Sequence, residues 1–206
     1  MSIRERLLLF TIVIVFIVLG TAILKTEPER PSFVEEPFQK VLDDVQSVQI
    51  YTKEGVINLD LIAEYKAWGV IKCRKNYSSD NAAKVSPMDI VLAWGTLNRS
   101  EIDEKIRYTQ SSRWYFYKYK EDIVVEQINI GRMSSNIHII PADESVLKAL
   151  KKSGVGDYME LTGYLVNVDF GDGGPLWVSS ITREDTGDGA CEIMYVTGVR
   201  EVDAEH

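Results

Sequence analysis

An apolar run of 18 residues, Leu7 to Leu24 (LLLFTIVIVFIVLGTAIL), contains no charge and constrains this chain more than any other feature. As a helix it would be about 27 Å long at roughly 1.5 Å per residue, close to the hydrocarbon thickness of a bilayer. The rest of the chain holds no comparable run. The sequence therefore predicts a cytoplasmic tail at 1–6, a transmembrane anchor at 7–24, a linker at 25–37 and a globular domain at 38–206.

A cleaved signal peptide is the alternative interpretation of this N-terminus. Arg4 and Arg6 provide a basic start, and Gly20 and Ala22 are small residues of the kind found at cleavage sites. The length of the run favours an anchor that is retained. Two arginines in a short tail favour an inner or plasma membrane protein with one span and its domain outside the cytoplasm, in the periplasm or its equivalent.

The chain is acidic, with 23 Lys plus Arg against 31 Asp plus Glu and a net charge of −8. This balance repels nucleic acid and anionic lipid headgroups, so no nucleic-acid partner is expected. The expected partners are the lipid bilayer, through the N-terminal helix, and other proteins of the cell envelope.

Residue patterns past the linker predict an α+β domain that is rich in β-structure and has a few short helices. Segments 45–51 and 56–61 flank a turn with Gly55 and indicate a β-hairpin. Glycine-rich turns near the C-terminus separate consecutive strands, which favours a bent sheet or small barrel of the OB-like or SH3-like class. Further strands are expected at 63–72, 113–120, 123–130, 158–169, 176–181 and 191–202.

Three helices are predicted from their capping residues. Ser86 and Pro87 precede an apolar stretch at 90–94, and Ser100 begins a pattern that extends to about Arg107. Asp143 is expected to cap a helix at 144–152, where apolar residues recur at helical spacing.

The two cysteines, Cys73 and Cys191, allow a disulfide in an oxidising compartment or two free thiols. Their spacing predicts no zinc site, because there is no CxxC and His138 is the one internal histidine. The acidic glycine turns at 169–172 and 185–188 do not have the ligand spacing of an EF-hand. No metal and no cofactor are therefore expected.

A dense aromatic strand, R113-W-Y-F-Y-K-Y-K, is the first candidate binding element. Alternation places Trp114 and Phe116 on one face and Tyr115 and Tyr117 on the other. One of the two faces is expected to belong to the core. The other could stack on a sugar, a peptide or a base, with Trp114, Tyr115 and Tyr117 as the candidate binding residues.

Cys191 and His138 are the candidate catalytic pair. A cysteine nucleophile needs a basic or imidazolium partner and a positive group for the oxyanion, and Arg183 or Arg200 could supply the last. The layout of an N-terminal anchor, a β-barrel and then His, Cys and Arg along the chain resembles that of the sortase transpeptidases. Sortases carry a threonine-rich stretch before the cysteine, whereas Asp188-Gly189-Ala190 precedes Cys191 here.

Three segments carry a broader resemblance, which spans most of residues 60–197: S86-P-M-D-I-V-L-A-W-G, S135-N-I-H-I-I-P-A and S179-S-I-T-R-E-D-T-G-D-G-A-C-E. They look like segments of a family of small membrane-anchored bacterial envelope proteins. The resemblance implies an envelope location and no particular activity. The leading hypothesis is a binding or accessory domain of the envelope; the alternatives are a Cys–His transpeptidase or hydrolase and a ligand-binding module around Trp114.

Overall fold

The computed structural model describes residues 36–120, 129–184 and 190–202. Within these ranges, no helix is long and apolar enough to cross a membrane. The predicted tail, anchor and most of the linker lie outside the described residues, as does most of the strand predicted at 123–130. The described elements are β1 (Phe38–Thr52), β2 (Gly55–Asn76), β3 (Met88–Ala93), a helix (Ser100–Asp103), β4 (Ile106–Ser111), β5 (Trp114–Tyr119), β6 (Ser134–Pro141), a helix (Glu144–Lys152), β7 (Tyr158–Asp169) and β8 (Glu192–Glu201).

The fold is of the α+β type and is dominated by one sheet, which confirms the coarse class predicted from the sequence. The long strand β2 pairs with β1 and β3 along one edge and with β7 along the other. The pairings continue from β3 to β6, β8 and β7, so that the strands β2-β3-β6-β8-β7 form a closed circuit. All of these pairs are antiparallel except β6 with β8. The helix Glu144–Lys152 makes the crossover between β6 and β7.

Two apolar cores lie on opposite faces of this sheet. The larger core includes Tyr65, Trp94 and Ile137, and the helix Glu144–Lys152 adds Val146 and Leu150 to it. The second includes residues from the start of β2, the end of β7 and the partly buried residues of β1. Alternate residues of β2 are buried from 57 to 67, but those up to Leu61 belong to the second core and those from Ala63 belong to the larger core. The register shift between Leu61 and Ala63 moves the buried side of β2 from one face of the sheet to the other.

The helix predicted at 90–94 is wrong, because residues 90–93 belong to β3 and Trp94 follows the end of that strand in an extended conformation. All six residues of β3 are buried, and the strand pairs with β2 on one side and β6 on the other. In a short apolar run that is buried on both faces, the spacing of hydrophobic residues does not distinguish a helix from a strand. Strand pairing therefore decided the structure of this segment.

Two further predictions need correction. The helix from Ser100 ends at Asp103, and β4 begins at Ile106, so the aromatic strand β5 pairs with the strand before it. The segment 176–181 forms no strand, and its one ladder contact is the bridge between Trp177 and Val168. The hairpin turn before Gly55 and the helix capped by Asp143 are confirmed.

Candidate functional site

The strands β4 and β5 form a two-stranded unit, here called the aromatic hairpin, that lies outside the main sheet. Arg113, which lies in the turn between β4 and β5, links the aromatic hairpin to β3. The guanidinium donates to Asp89 Oδ1 over 2.7 Å and to both carboxylate oxygens of Asp80, and it stacks on Tyr77 at 3.8 Å. Asp89 has no exposed surface, so Arg113 is the cation for a carboxylate buried in the sheet.

A cleft of about 340 Å³ lies between the aromatic hairpin and the end of the main sheet. Five of the seven residues predicted for binding or catalysis line it: Trp114, Tyr115, Tyr117, Arg183 and Cys191. The three aromatic residues come from β5, and the other two come from the segment before β8. The packing of the hairpin against the main sheet thus brings together two predictions that were independent in the sequence.

The floor of the cleft is a compact polar cluster. Arg183 forms an ion pair with the buried Glu192 and donates to the hydroxyl of Tyr65. Ser135 donates to the second carboxylate oxygen of Glu192. The guanidinium also lies 4.9 Å from the ring centroid of Trp94. Arg183 therefore joins the cleft to the larger core and is already engaged by a carboxylate.

Protonation states in the cleft follow from burial. Desolvation raises the pKa of Tyr115 to about 12 and raises the pKa of Tyr65 further, with the charge of Glu192 as its second cause. Burial is the largest single influence on the pKa of Arg183 and would lower it, but the charge of Glu192 and the interactions with Tyr65 together outweigh burial, so the pKa lies above its ordinary value. Both phenols are therefore neutral and the guanidinium is charged at neutral pH.

The expectation that one face of the aromatic strand belongs to the core is wrong. Trp114, Phe116, Tyr117 and Tyr119 are exposed by 38 to 52%, and Tyr115 alone is only partly exposed. Tyr115 faces the start of β6, where its hydroxyl lies 3.4 Å from the hydroxyl of Ser134. In the described part of the chain this hairpin has two strands and lies outside the main sheet, and four of the five aromatic residues of β5 are more than a third exposed.

His138 and Arg200 do not line the cleft. His138 lies in β6 with Nδ1 2.9 Å from Asp89 Oδ1, and its ring is 4.9 Å from the ring of Trp177. Arg200 lies near the end of β8 and pairs with Glu160. The structure brings Cys191 and Arg183 together and places the other two predicted catalytic residues elsewhere. The catalytic roles themselves stay predictions.

Neither Cys73 nor Cys191 forms a disulfide. The strand registers place Cys73, Val91 and Asn136 in one row across β2, β3 and β6, and Cys191 directly precedes β8, whose first residue Glu192 pairs with Ile137 of β6. Three strand spacings of about 4.8 Å separate the two cysteines, whereas a disulfide requires Cα atoms within roughly 7 Å. Of the two states that the sequence allowed, the structure has the one without a disulfide. In the cleft, the side-chain amide of Asn136 is 3.9 Å from Cys191 Sγ.

Cys73 should alkylate more slowly than an unperturbed thiol at mildly alkaline pH. Desolvation raises its pKa, so less thiolate is present at any given pH, and the thiolate is the reactive form. Mass spectrometry of the native protein treated with iodoacetamide, with the denatured protein as the control, measures this rate. Recovery of a Cys73–Cys191 peptide pair from the native protein would contradict the structure.

Several cleft residues carry no obvious signal in the sequence. Ser135 and Asn136 begin a strand of buried residues, and Glu192 follows Cys191. The available signal was a polar side chain inside an otherwise apolar strand. A buried polar group needs a hydrogen-bond partner, so such a residue indicates a polar cluster nearby. In the described part of the chain, no group of three or more His, Cys, Asp or Glu residues is arranged to hold a metal ion.

In comparisons with known proteins, no family model, no curated protein and no solved structure gives a significant match to this chain.

Proposed function

We propose that this protein is a ligand-binding module of the cell envelope, held at the membrane by residues 7–24, and that its cleft binds a neutral polar ligand with a ring face. An oligosaccharide segment is the ligand that fits best. The observation that carries the proposal is that Trp114, Tyr115 and Tyr117 share one cleft with the polar cluster around Arg183.

The charge balance of the cleft supports a neutral ligand. Arg183 is paired with Glu192, and Arg132 lies 3.0 Å from Glu184. Among the described residues that line the cleft, each charged side chain thus has an opposite charge beside it. A strongly anionic or cationic ligand would have to break one of these pairs, whereas a neutral ligand would leave both intact.

The side chains available for contact support a sugar. Trp114 and Tyr117 are both more than a third exposed and can stack on the apolar face of a ring. Asn129, Asn136 and Thr182 supply side-chain amides and a hydroxyl near them. A few placed polar groups beside aromatic walls are typical of small-ligand sites, and the cleft volume lies in their usual range.

The strand order supports an OB-like barrel, which is one of the two fold classes expected from the sequence. In an OB barrel five strands close in Greek-key order, and the outer face of its second and third strands with two adjoining loops binds oligosaccharides or oligonucleotides. Here β3 and β6 correspond to those two strands, and Asn136 and Ser134 on β6 reach the cleft. The acidic net charge favours the sugar over the oligonucleotide.

Isothermal titration calorimetry of the full-length protein with neutral N-acetylglucosamine oligomers tests this function, because its signal does not depend on Trp114. We expect saturable binding that Trp114→Ala weakens by about tenfold or more, because truncation of a stacking tryptophan removes a central contact. Phe116→Ala is the matched control, since Phe116 lies on the same strand but does not line the cleft, and it should bind normally.

Two results would count against the proposal. Equal affinity in the wild type and in Trp114→Ala would place any binding outside the cleft. The second result is that the oligomers fail to bind while a short neutral peptide binds in a way that depends on Trp114. This result would support the cleft as the binding site and reject the sugar as its ligand.

A further inference from the structure

The segment that forms the aromatic hairpin has a composition opposite to that of the chain as a whole. Residues 105–120, between Glu104 and Glu121, include five Lys or Arg and no Asp or Glu, although the chain carries a net charge of −8. Six aromatic residues lie in the same stretch. The segment is thus both the most basic and the most aromatic part of the domain.

Strand register divides these residues between two faces. Thr109 pairs with Phe116 and Arg107 pairs with Lys118, so all four side chains share one face of the hairpin. This outer hairpin face is exposed at each of the four positions. The opposite face holds Ile106, which packs into a small apolar cluster.

Within the described residues, some basic side chains on and beside the outer hairpin face have no acidic partner. Arg107, Lys118 and Lys120 form no ion pair with a carboxylate of the described residues. By contrast, Arg113 in the same hairpin is fully engaged by Asp80 and Asp89. The exposed cations and Phe116, 52% exposed, are therefore available to an external partner.

We infer that the outer hairpin face docks on the surface of an anionic phospholipid membrane. Clustered Lys and Arg next to the bilayer attract anionic headgroups, and aromatic side chains are favoured at the level of the headgroups. The acidic remainder of the domain does not prevent this contact, because charges farther away than the Debye length of about 8 Å are screened.

The distance to the membrane is compatible with docking. The predicted anchor at 7–24 would be joined to β1 by residues 25–37, a stretch that reaches at most about 45 Å when extended. A linker of this reach keeps the domain near the bilayer and allows the hairpin to face it.

A tryptophan introduced at Phe116 reports the contact. We expect that the full-length Phe116→Trp protein in vesicles of brominated phosphatidylcholine is quenched when about a third of the lipid is phosphatidylglycerol, and much less without it. Quenching should be lost in about 1 M salt, where the Debye length is roughly 3 Å. Val155→Trp is the control, since Val155 is 65% exposed in a loop outside the hairpin, and it should show no dependence on phosphatidylglycerol.

Charge reversal in the same background tests the basic residues. Adding Arg107→Glu and Lys118→Glu to Phe116→Trp should abolish the extra quenching, while the thermal unfolding midpoint stays close to that of the parent because both sites are exposed. Quenching of Phe116→Trp that equals that of Val155→Trp in phosphatidylglycerol vesicles would overturn the proposal. A fluorescence change with single-stranded polyuridine and none with the vesicles would replace the membrane by nucleic acid.

Discussion

Replacing Arg113 by alanine is expected to lower the free energy of unfolding by about 3–5 kcal/mol, the usual cost of removing one partner from a buried ion pair. The reason is Asp89, which has no exposed surface and receives a hydrogen bond of 2.7 Å from the Arg113 guanidinium. Urea denaturation followed by circular dichroism gives the free energy directly. Arg107→Ala is the matched control on the same hairpin, where an exposed arginine should change it by less than about 0.5 kcal/mol.

The same substitution should also loosen the aromatic hairpin from the main sheet. The Arg113 side chain bonds to Asp80, Ser86 and Asp89, all of which lie in β3 or in the segment before it. Arg113→Lys keeps the charge but loses the planar fork of donors, so it should recover only part of the lost stability. Full stability in Arg113→Ala would show that Asp89 is not held in place by this cation.

Arg113 should contribute to acid stability through Asp80. A hydrogen bond from Arg113 holds the pKa of Asp80 below its ordinary value. A carboxylate with a lowered pKa in the folded state adds stability above its unfolded pKa, and this part is lost as the pH falls through the folded pKa. Arg113→Ala removes this contribution of Asp80. The difference in the free energy of unfolding between the wild type and Arg113→Ala should therefore decrease as the pH falls.

Replacing Arg183 by methionine should lower the free energy of unfolding by about 3 kcal/mol, the lower end of the range for buried pairs. The lower end applies because the Arg183 side chain is 20% exposed, whereas its partner Glu192 is 3% exposed. Methionine keeps the length of the side chain and its packing against Trp94 but leaves the carboxylate without this cation. Urea denaturation is again the measurement.

A double substitution separates the charge effect from packing. Arg183→Met combined with Glu192→Met removes both charges, and it should be more stable than Arg183→Met alone because an apolar pair avoids the desolvation cost. Arg200→Met is the control, since its pair with Glu160 is exposed and such pairs contribute about 0–1 kcal/mol. A loss in Arg200→Met as large as that in Arg183→Met would contradict the assignment of Arg183 to a buried cluster.

Local signals in the sequence were sufficient where neighbouring residues determine the conformation. The turn before Gly55 and the cap at Asp143 both appear in the structure as expected. A turn needs a residue that adopts its dihedral angles, and a cap needs an acceptor for the first backbone amides of the helix. Both requirements are met within a few residues of the chain.

Long-range pairing was not accessible in the same way. The residues of β3 were predicted mostly as a helix, and the pairing of the aromatic strand with the strand before it was not predicted. In both places the apolar pattern fits several pairings, and the free energy of closing the sheet selects among them. Asp89 in the apolar segment Met88–Ala93 was the available hint, because a carboxylate there requires a buried cation.

The sequence by itself determined the composition of the candidate site: the aromatic cluster of β5, the thiol of Cys191 and the guanidinium of Arg183 are all evident as residues able to bind or react. Only the tertiary structure decided that these three meet in one cleft and that His138 and Arg200 lie elsewhere. The physical reason is that the type of a side chain sets what it can do, whereas strand register sets which side chains are neighbours. Register depends on contacts between residues far apart in the chain, and no local pattern encodes them.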